Sequence, residues 1–106
     1  MTAVTATSDM LSAVEPSDLE LVGRAQSGEP EAFDLLTRRY QTRLAKLVSR
    51  YINDPADVLD VVQESLLRAY RALDRFRGDS QFYTWLYRIS VNAAKNHLDS
   101  RSRRPG

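Results

Sequence analysis

The sequence predicts an all-α fold, a bundle of four helices around one small core, and three observations carry that expectation. Apolar residues recur at three- and four-residue steps through long stretches, as one buried helix face requires. Residues that stop and start helices separate these stretches at Gly28–Pro30, Asn53–Pro55 and Asp74–Ser80. No segment alternates apolar and polar residues with the period of two that marks a half-buried strand. A chain of 106 residues has room for one such domain, since domains typically hold about 100–150 residues.

Residues 1–16 are rich in Ala, Thr and Ser without a sustained apolar period, and are expected to form a disordered N-terminal tail. A first helix over 18–27 follows from Ser17 as N-cap, from Asp18 and Glu20 complementing the helix dipole, and from Gly28 as a stop. Pro30 at a first helical position opens a second helix over 30–52, whose core face is Phe33, Leu36, Tyr40, Leu44, Leu47 and Tyr51. Asp54 as cap and Pro55 at the next first position begin a third helix, 55–73, that buries Val58, Val62, Leu66, Ala69, Tyr70 and Leu73. Asp74 to Asp79 has no helical period and a central glycine, so it is expected to be a loop. Ser80 is the expected cap of a fourth helix, 80–100, with Phe82, Leu86, Ile89 and Ala93 inward. These elements make one domain over 17–100, and 101–106, basic and closed by Pro105 and Gly106, is expected to begin a linker.

Composition excludes several classes of function. With 27% charged residues and no long apolar run, neither a membrane span nor a signal-peptide core is present, which predicts a cytoplasmic chain. The absence of cysteine excludes disulfides, thiolate metal sites and a thiol nucleophile. The net charge of +1 predicts no partner, but its distribution along the chain does. Residues 1–34 carry seven acidic and one basic residue, 35–50 five basic and none acidic, 51–66 four acidic and none basic, and 67–106 nine basic and three acidic. Such a bipolar chain suits a protein with one surface for phosphates and another for a basic partner, although charge blocks also simply solvate helix faces.

Five of the nine aromatic residues fall between Phe76 and Arg88, with basic residues among them. Trp85, Arg88, Asn92, Lys95 and Asp99 share one helix face at three- and four-residue steps, flanked by Tyr83 and Tyr87. A face serving the core alone would leave this polar set buried and unpaired. Rings beside cations suit unpaired nucleic acid, because bases stack on rings, cations hold phosphates and amides reach exposed base edges. The glycine-containing loop with Phe76 at its edge could enclose an extruded base. Capping of a small core by Trp85 and the tyrosines is the competing explanation. Asp57, Asp60, Gln63 and Glu64 recur at similar steps on the third helix. No second ligand cluster accompanies them, so the pattern implies no metal site. It marks either a solvated acidic face or a docking face for a basic partner helix. His97 lies one turn beyond the core stripe, which suggests packing rather than catalysis, and neither Arg77-Gly78-Asp79 nor the arginines of 101–104 carry a specific signal.

At Asp60-Val-Val-Gln-Glu64, Ala69-Tyr-Arg-Ala72, Phe76-Arg-Gly-Asp-Ser80, Phe82-Tyr-Thr-Trp-Leu-Tyr-Arg-Ile89 and Asn92-Ala-Ala-Lys-Asn96 the chain resembles region 2 of extracytoplasmic-function (group 4) RNA polymerase sigma factors, most closely the envelope-stress sigma-E/AlgU type. The resemblance covers about residues 17–105. It implies a transcription initiation factor domain that binds core RNA polymerase and recognises the promoter minus-10 element as melted non-template strand. On that resemblance Asp60, Gln63 and Glu64 match the motif that docks on the β′ clamp helices, and Asp57, one step before them in the same spacing, is expected to join them. Phe76, Arg77, Gly78, Asp79 and Ser80 match the loop that pockets a flipped base. Trp85, Arg88, Asn92, Lys95 and Asn96 match the helix that meets the strand and the duplex edge, and the flanking Tyr83 and Tyr87 are expected to contact DNA with them. It also implies an anti-sigma factor as partner, held at the inner membrane in many members, and a second, minus-35-binding domain that 106 residues do not include. No cofactor and no small-molecule substrate are implied. A helical protein–protein interaction module without a DNA role is the alternative class. An enzyme is the poorest, since no nucleophile, paired acid and base, or metal set stands out.

Overall fold

The computed structural model describes residues 15–102. Among the described residues, four helices and one short 3-10 turn follow in order: α1 (Asp18–Gln26), α2 (Pro30–Val48), α3 (Pro55–Ala72), the 3-10 turn Leu73–Arg75 and α4 (Phe82–Ser102). The expected all-α bundle is therefore present. α2, α3 and α4 pack on one another, while α1 lies mainly on α2 and also touches the 3-10 turn and α4.

Local chemistry sets most of the boundaries. The Ser17 hydroxyl accepts the Glu20 N–H at 3.1 Å and starts α1, with Asp18 and Glu20 in the positive first turn. Gly28 takes φ +105°, a conformation that reverses the chain into Pro30 and that side chains with a Cβ rarely adopt. Asp54 accepts from the Ala56 N–H at 2.8 Å and Pro55 opens α3, as expected.

Four details depart from expectation. α2 stops at Val48, because the Tyr51 N–H bonds back to the Val48 carbonyl (2.9 Å) and tightens the last turn. That turn leaves Tyr51 exposed and buries Ile52 in its place. Tyr70 stands at the border of the α3 buried face, half exposed, with its ring edge-on to Phe33 at 5.1 Å. Ser65 holds the centre of that face, its hydroxyl donating to the Val61 carbonyl at 2.7 Å. Ser80 does not cap α4. The first helical bond there runs from the Trp85 N–H to the Gln81 carbonyl, and the helix begins at Phe82. Ile89 is only partly buried, because Ser90 and Ala94, beside Leu86 and Ala93, let the backbone of α4 approach its neighbours closely.

The expected tail and linker are described only at their inner ends; 1–14 and 103–106 lie outside the described residues. Arg39 of α2 donates to the Pro16 carbonyl at 3.0 Å and lies 3.6 Å from the Glu15 carboxylate. Arg101 and Ser102, expected in the linker, are the last residues of α4, where the Ser102 hydroxyl returns to the Asp99 carbonyl at 2.9 Å.

Candidate nucleic-acid interface

The loop between the 3-10 turn and α4 is fixed at its base. The side-chain amide of Gln26, the last residue of α1, donates to the carbonyls of Leu73 (2.9 Å) and Phe76 (3.0 Å). Phe76 itself is buried, its ring 5.0 Å from Trp85 and edge-on to Phe82 at 5.9 Å. Its expected place at the loop edge, ready to enclose a base, is thereby corrected. A phenyl ring gains more from the aromatic cluster beneath the loop than from water above it, so Phe76 anchors the loop from within. Arg77, Gly78 and Asp79 are exposed, and Ser80 is half-buried. Gly78 turns the loop at φ +81°.

Beside this loop opens a cavity of about 800 Å³. Gly78, Asp79, Ser80 and Tyr83 border it from the loop and α4, and Asp18, Tyr40 and Arg43 from α1 and α2. Tyr40 and Tyr83 stack at 5.1 Å with planes 30° apart. The Arg43 guanidinium lies 5.7 Å and 5.8 Å from the two ring centroids, within cation–π reach of both. Behind the stack, the Tyr40 hydroxyl donates a short hydrogen bond to Asp18, whose other oxygen accepts from Arg39 at 2.7 Å. Burial foremost, and then the Asp18 carboxylate, push the Tyr40 hydroxyl up to about 12, so it stays a neutral donor.

The α4 face continues away from the cavity. Trp85 is half-buried, one side of its ring against Phe76 and Phe82. Tyr83 and Tyr87, both half-buried, meet edge to face at 5.6 Å. Arg88, Asn92, Lys95 and Asn96 are exposed along the same helix. The structure therefore combines both explanations of the aromatic residues: Trp85 helps to close the core and also lies at the edge of the polar face.

On the third helix the acidic residues divide. Asp60, Gln63 and Glu64 are exposed along a groove of about 530 Å³ between α2 and α3, with Phe33, Leu67 and Tyr70 as its apolar lining. Glu64 also pairs with Arg68 at 2.9 Å. Asp57 does not join this ridge, which corrects its grouping with the other three. It is turned toward α4, pairs with Arg101 and stands 3.5 Å from His97 Nε2. That nitrogen is buried and makes no hydrogen bond, consistent with packing.

Four further residues stand at the loop that the sequence patterns do not connect with it: Gln26, Asp18, Tyr40 and Arg43. For the first two, no local pattern points to a loop some fifty residues or more away in sequence. Arg43 follows Tyr40 by three residues on one helix face, and that spacing was the one available signal.

Comparisons with known proteins show the family. The family model "Sigma-70 region 2" matches residues 36–104. The chain is 62% identical over 89 residues to the ECF RNA polymerase sigma-E factor of Salmonella typhimurium, covering 84% of this chain and 46% of that protein. It is 53% identical over 91 residues to the RNA polymerase sigma-H factor of Pseudomonas aeruginosa, covering 86% and 47%. The chain thus spans about half the length of the curated relatives it matches. Among solved structures, an engineered region 2 of sigmaE in complex with GTAAAA superposes with a TM-score of 0.79 at 54% identity, covering 84% of this chain and 93% of that one. CnrH, solved in complex with the cytosolic domain of CnrY, superposes with a TM-score of 0.67 at 37% identity, covering 72% and 49%.

Proposed function

The chain belongs to the sigma-70 region 2 family, and on that premise we propose that it is the promoter-melting domain of an extracytoplasmic-function sigma factor. In this role it docks on the β′ clamp helices of core RNA polymerase and captures bases of the melted non-template minus-10 strand. The observation that carries the proposal is the open loop cavity bordered by Tyr83 at the start of α4, with Tyr87 against it and the exposed Arg88, Asn92 and Lys95 further along the same helix. The relative bound to GTAAAA supports it.

The mechanism is capture rather than chemistry. Extruding a base from a duplex costs a few kcal/mol. Stacking on an aromatic side chain returns about 1–3 kcal/mol per base, and phosphate contacts add to it. A loop already fixed by Gln26 and Phe76 needs little further ordering when a base enters, so more of the contact energy remains available to hold the strand open. Arg77, Gly78, Asp79 and Ser80 would meet the extruded base. Tyr83, Trp85, Tyr87 and the polar α4 residues would meet the strand beside it.

Asp60, Gln63 and Glu64 supply the polymerase-docking half. Their acidic ridge beside an apolar groove matches the chemistry of a basic, amphipathic helix pair. Asp57 contributes there only through the position of α3. A regulatory partner of the anti-sigma kind belongs to the same proposal, supported by CnrH and its complex with the cytosolic domain of CnrY. So does a cytoplasmic location, with that partner tethered at the inner membrane.

Titration with short single strands, GTAAAA and permutations of its bases, followed by Trp85 fluorescence, tests the proposal. Base-order preference is expected, with affinity that falls as salt rises. Equal affinity for every permutation would overturn it, and salt-indifferent binding would favour a protein-interaction module instead.

A further inference from the structure

Two arginines one turn apart on α2 have different fates. Arg39 is committed to the fold: Asp18, Glu15 and the Pro16 carbonyl all engage its guanidinium. Arg43, exposed at the cavity rim, forms no ion pair among the described residues and is placed by the faces of Tyr40 and Tyr83. Ring faces attract a guanidinium without consuming its N–H donors, which lie in its plane, point outward from its edge and remain available. Tyr40 cannot easily rotate away, because its hydroxyl is held by Asp18 and its ring is buried. Asp18, Tyr40 and Tyr83 therefore present a pre-oriented cation at the mouth of the loop cavity.

The charges around that mouth indicate what the cation is for. Asp18 is already neutralised by Arg39, which leaves Asp79 and Arg43 as the charged side chains lining the cavity without such a partner. A nucleic-acid strand that delivers a base into the cavity brings its phosphates past the rim, where Asp79 alone would repel them. We infer that Arg43 is a strand-contact residue that binds a backbone phosphate next to the captured base, with Tyr40 and Tyr83 as its positioning residues. This rests on the proposed single-strand capture and extends it to α2, outside the loop and the α4 face.

The test uses the chain itself, Arg43→Gln and Arg43→Lys, titrated with a GTAAAA single strand at several salt concentrations. Loss of one charge-assisted contact predicts about tenfold weaker binding for Arg43→Gln. Loss of one phosphate contact on a single strand also predicts a salt slope shallower by about 0.7. Arg43→Lys should keep the slope while losing part of the affinity, because an ammonium lacks the planar fork that the rings orient. Replacing the strand's phosphates one at a time by uncharged methylphosphonates should reveal one position that weakens the parent and adds no loss to Arg43→Gln. An unchanged affinity and slope in Arg43→Gln would overturn the inference. So would an unchanged slope accompanied by altered base preference, which would make Arg43 a reader of base edges. If the parent chain shows neither base-order preference nor a salt slope, the failure lies with strand capture itself and not with Arg43.

Discussion

Replacing Gln26 tests whether α1 holds in place the loop proposed to capture the strand. Its amide donates two hydrogen bonds, 2.9 Å and 3.0 Å long, to carbonyls on either side of the 3-10 turn. Each such bond contributes about 0.5–1.5 kcal/mol net. The flank of Gln26 remains exposed, so water can replace part of what is lost, and Gln26→Met should cost about 1–1.5 kcal/mol in all. In a domain of this size that corresponds to a fall in Tm of roughly 4–12 °C. Methionine keeps the length and helix propensity while removing both donors. Gln26→Glu should cost more than Gln26→Met despite its closer shape. A carboxylate would face two carbonyl oxygens at the C-terminal end of α1, where the helix dipole adds a penalty of about 0.3–1 kcal/mol. Thermal unfolding by circular dichroism gives the stability, and titration with the GTAAAA strand gives the functional readout. The loop should lose affinity several-fold with no change in salt slope, since no phosphate contact is removed. A Gln26→Met variant melting within about 2 °C of the parent, with full strand affinity, would refute the argument that these bonds fix the loop.

Four further outcomes follow from the same geometry. Trp85→Ala should weaken strand capture while polymerase docking persists, and Glu64→Lys or Asp60→Lys should do the reverse; each is checked by binding to strand and to core polymerase separately. Asp57→Ala removes the contacts to Arg101 and His97, and should lower stability by up to about 1 kcal/mol in a denaturant titration while leaving polymerase affinity intact. Tyr40 is raised from an ordinary 10.0 to about 12 in the fold, so its contribution is complete below pH 10 and is lost as pH rises toward 12. Tyr40→Phe should remove that alkaline step, at most about 2.7 kcal/mol, from the pH dependence of unfolding. Gly78→Ala meets no neighbouring atom but must adopt φ +81°, and should cost about 1–2 kcal/mol and reduce strand affinity.

The elements were legible where a local rule decides them. Ser17, Pro30, Asp54 and Pro55 act on backbone groups within a few residues, and the boundaries they set lie where expected. The misplacements have other causes. Tyr70, Ser65 and Ser90 depend on how closely one helix approaches the next, and apolar spacing contains nothing about approach, while Tyr51 is turned out by the tightened end of α2. The same limit applies to the site. The α4 face was legible because its residues share one helix. The loop position of Phe76 predicts a place at the loop edge, whereas the cluster that buries it comes from α4. Arg43 and Gln26 act on parts of the chain far from them in sequence, so their roles emerge only once α1 and α2 pack beside the loop.

That packing also explains how charge blocks of one sign serve two purposes. In the basic block of α2, Arg39 is spent on Asp18, Glu15 and Pro16, while Arg43 is left at the cavity mouth. In the acidic block of α3, Asp57 is spent on Arg101 and His97, while Asp60 and Glu64 face outward. Each block therefore gives part of its charge to the fold and part to a surface. The two surfaces are mechanically connected, since α3 runs from the acidic ridge directly into the 3-10 turn that carries the loop. From Glu64 to Leu73 the helix rises roughly 14 Å. That is far enough for substitutions on the ridge and in the loop to act independently, yet the helix between them is continuous. In the proposed role, a polymerase that fixes the orientation of α3 would thereby fix where the loop cavity meets the DNA. In the proposed role, docking and strand capture are separable by mutation at Asp60 and at Trp85, which stand on different helices and border different surfaces.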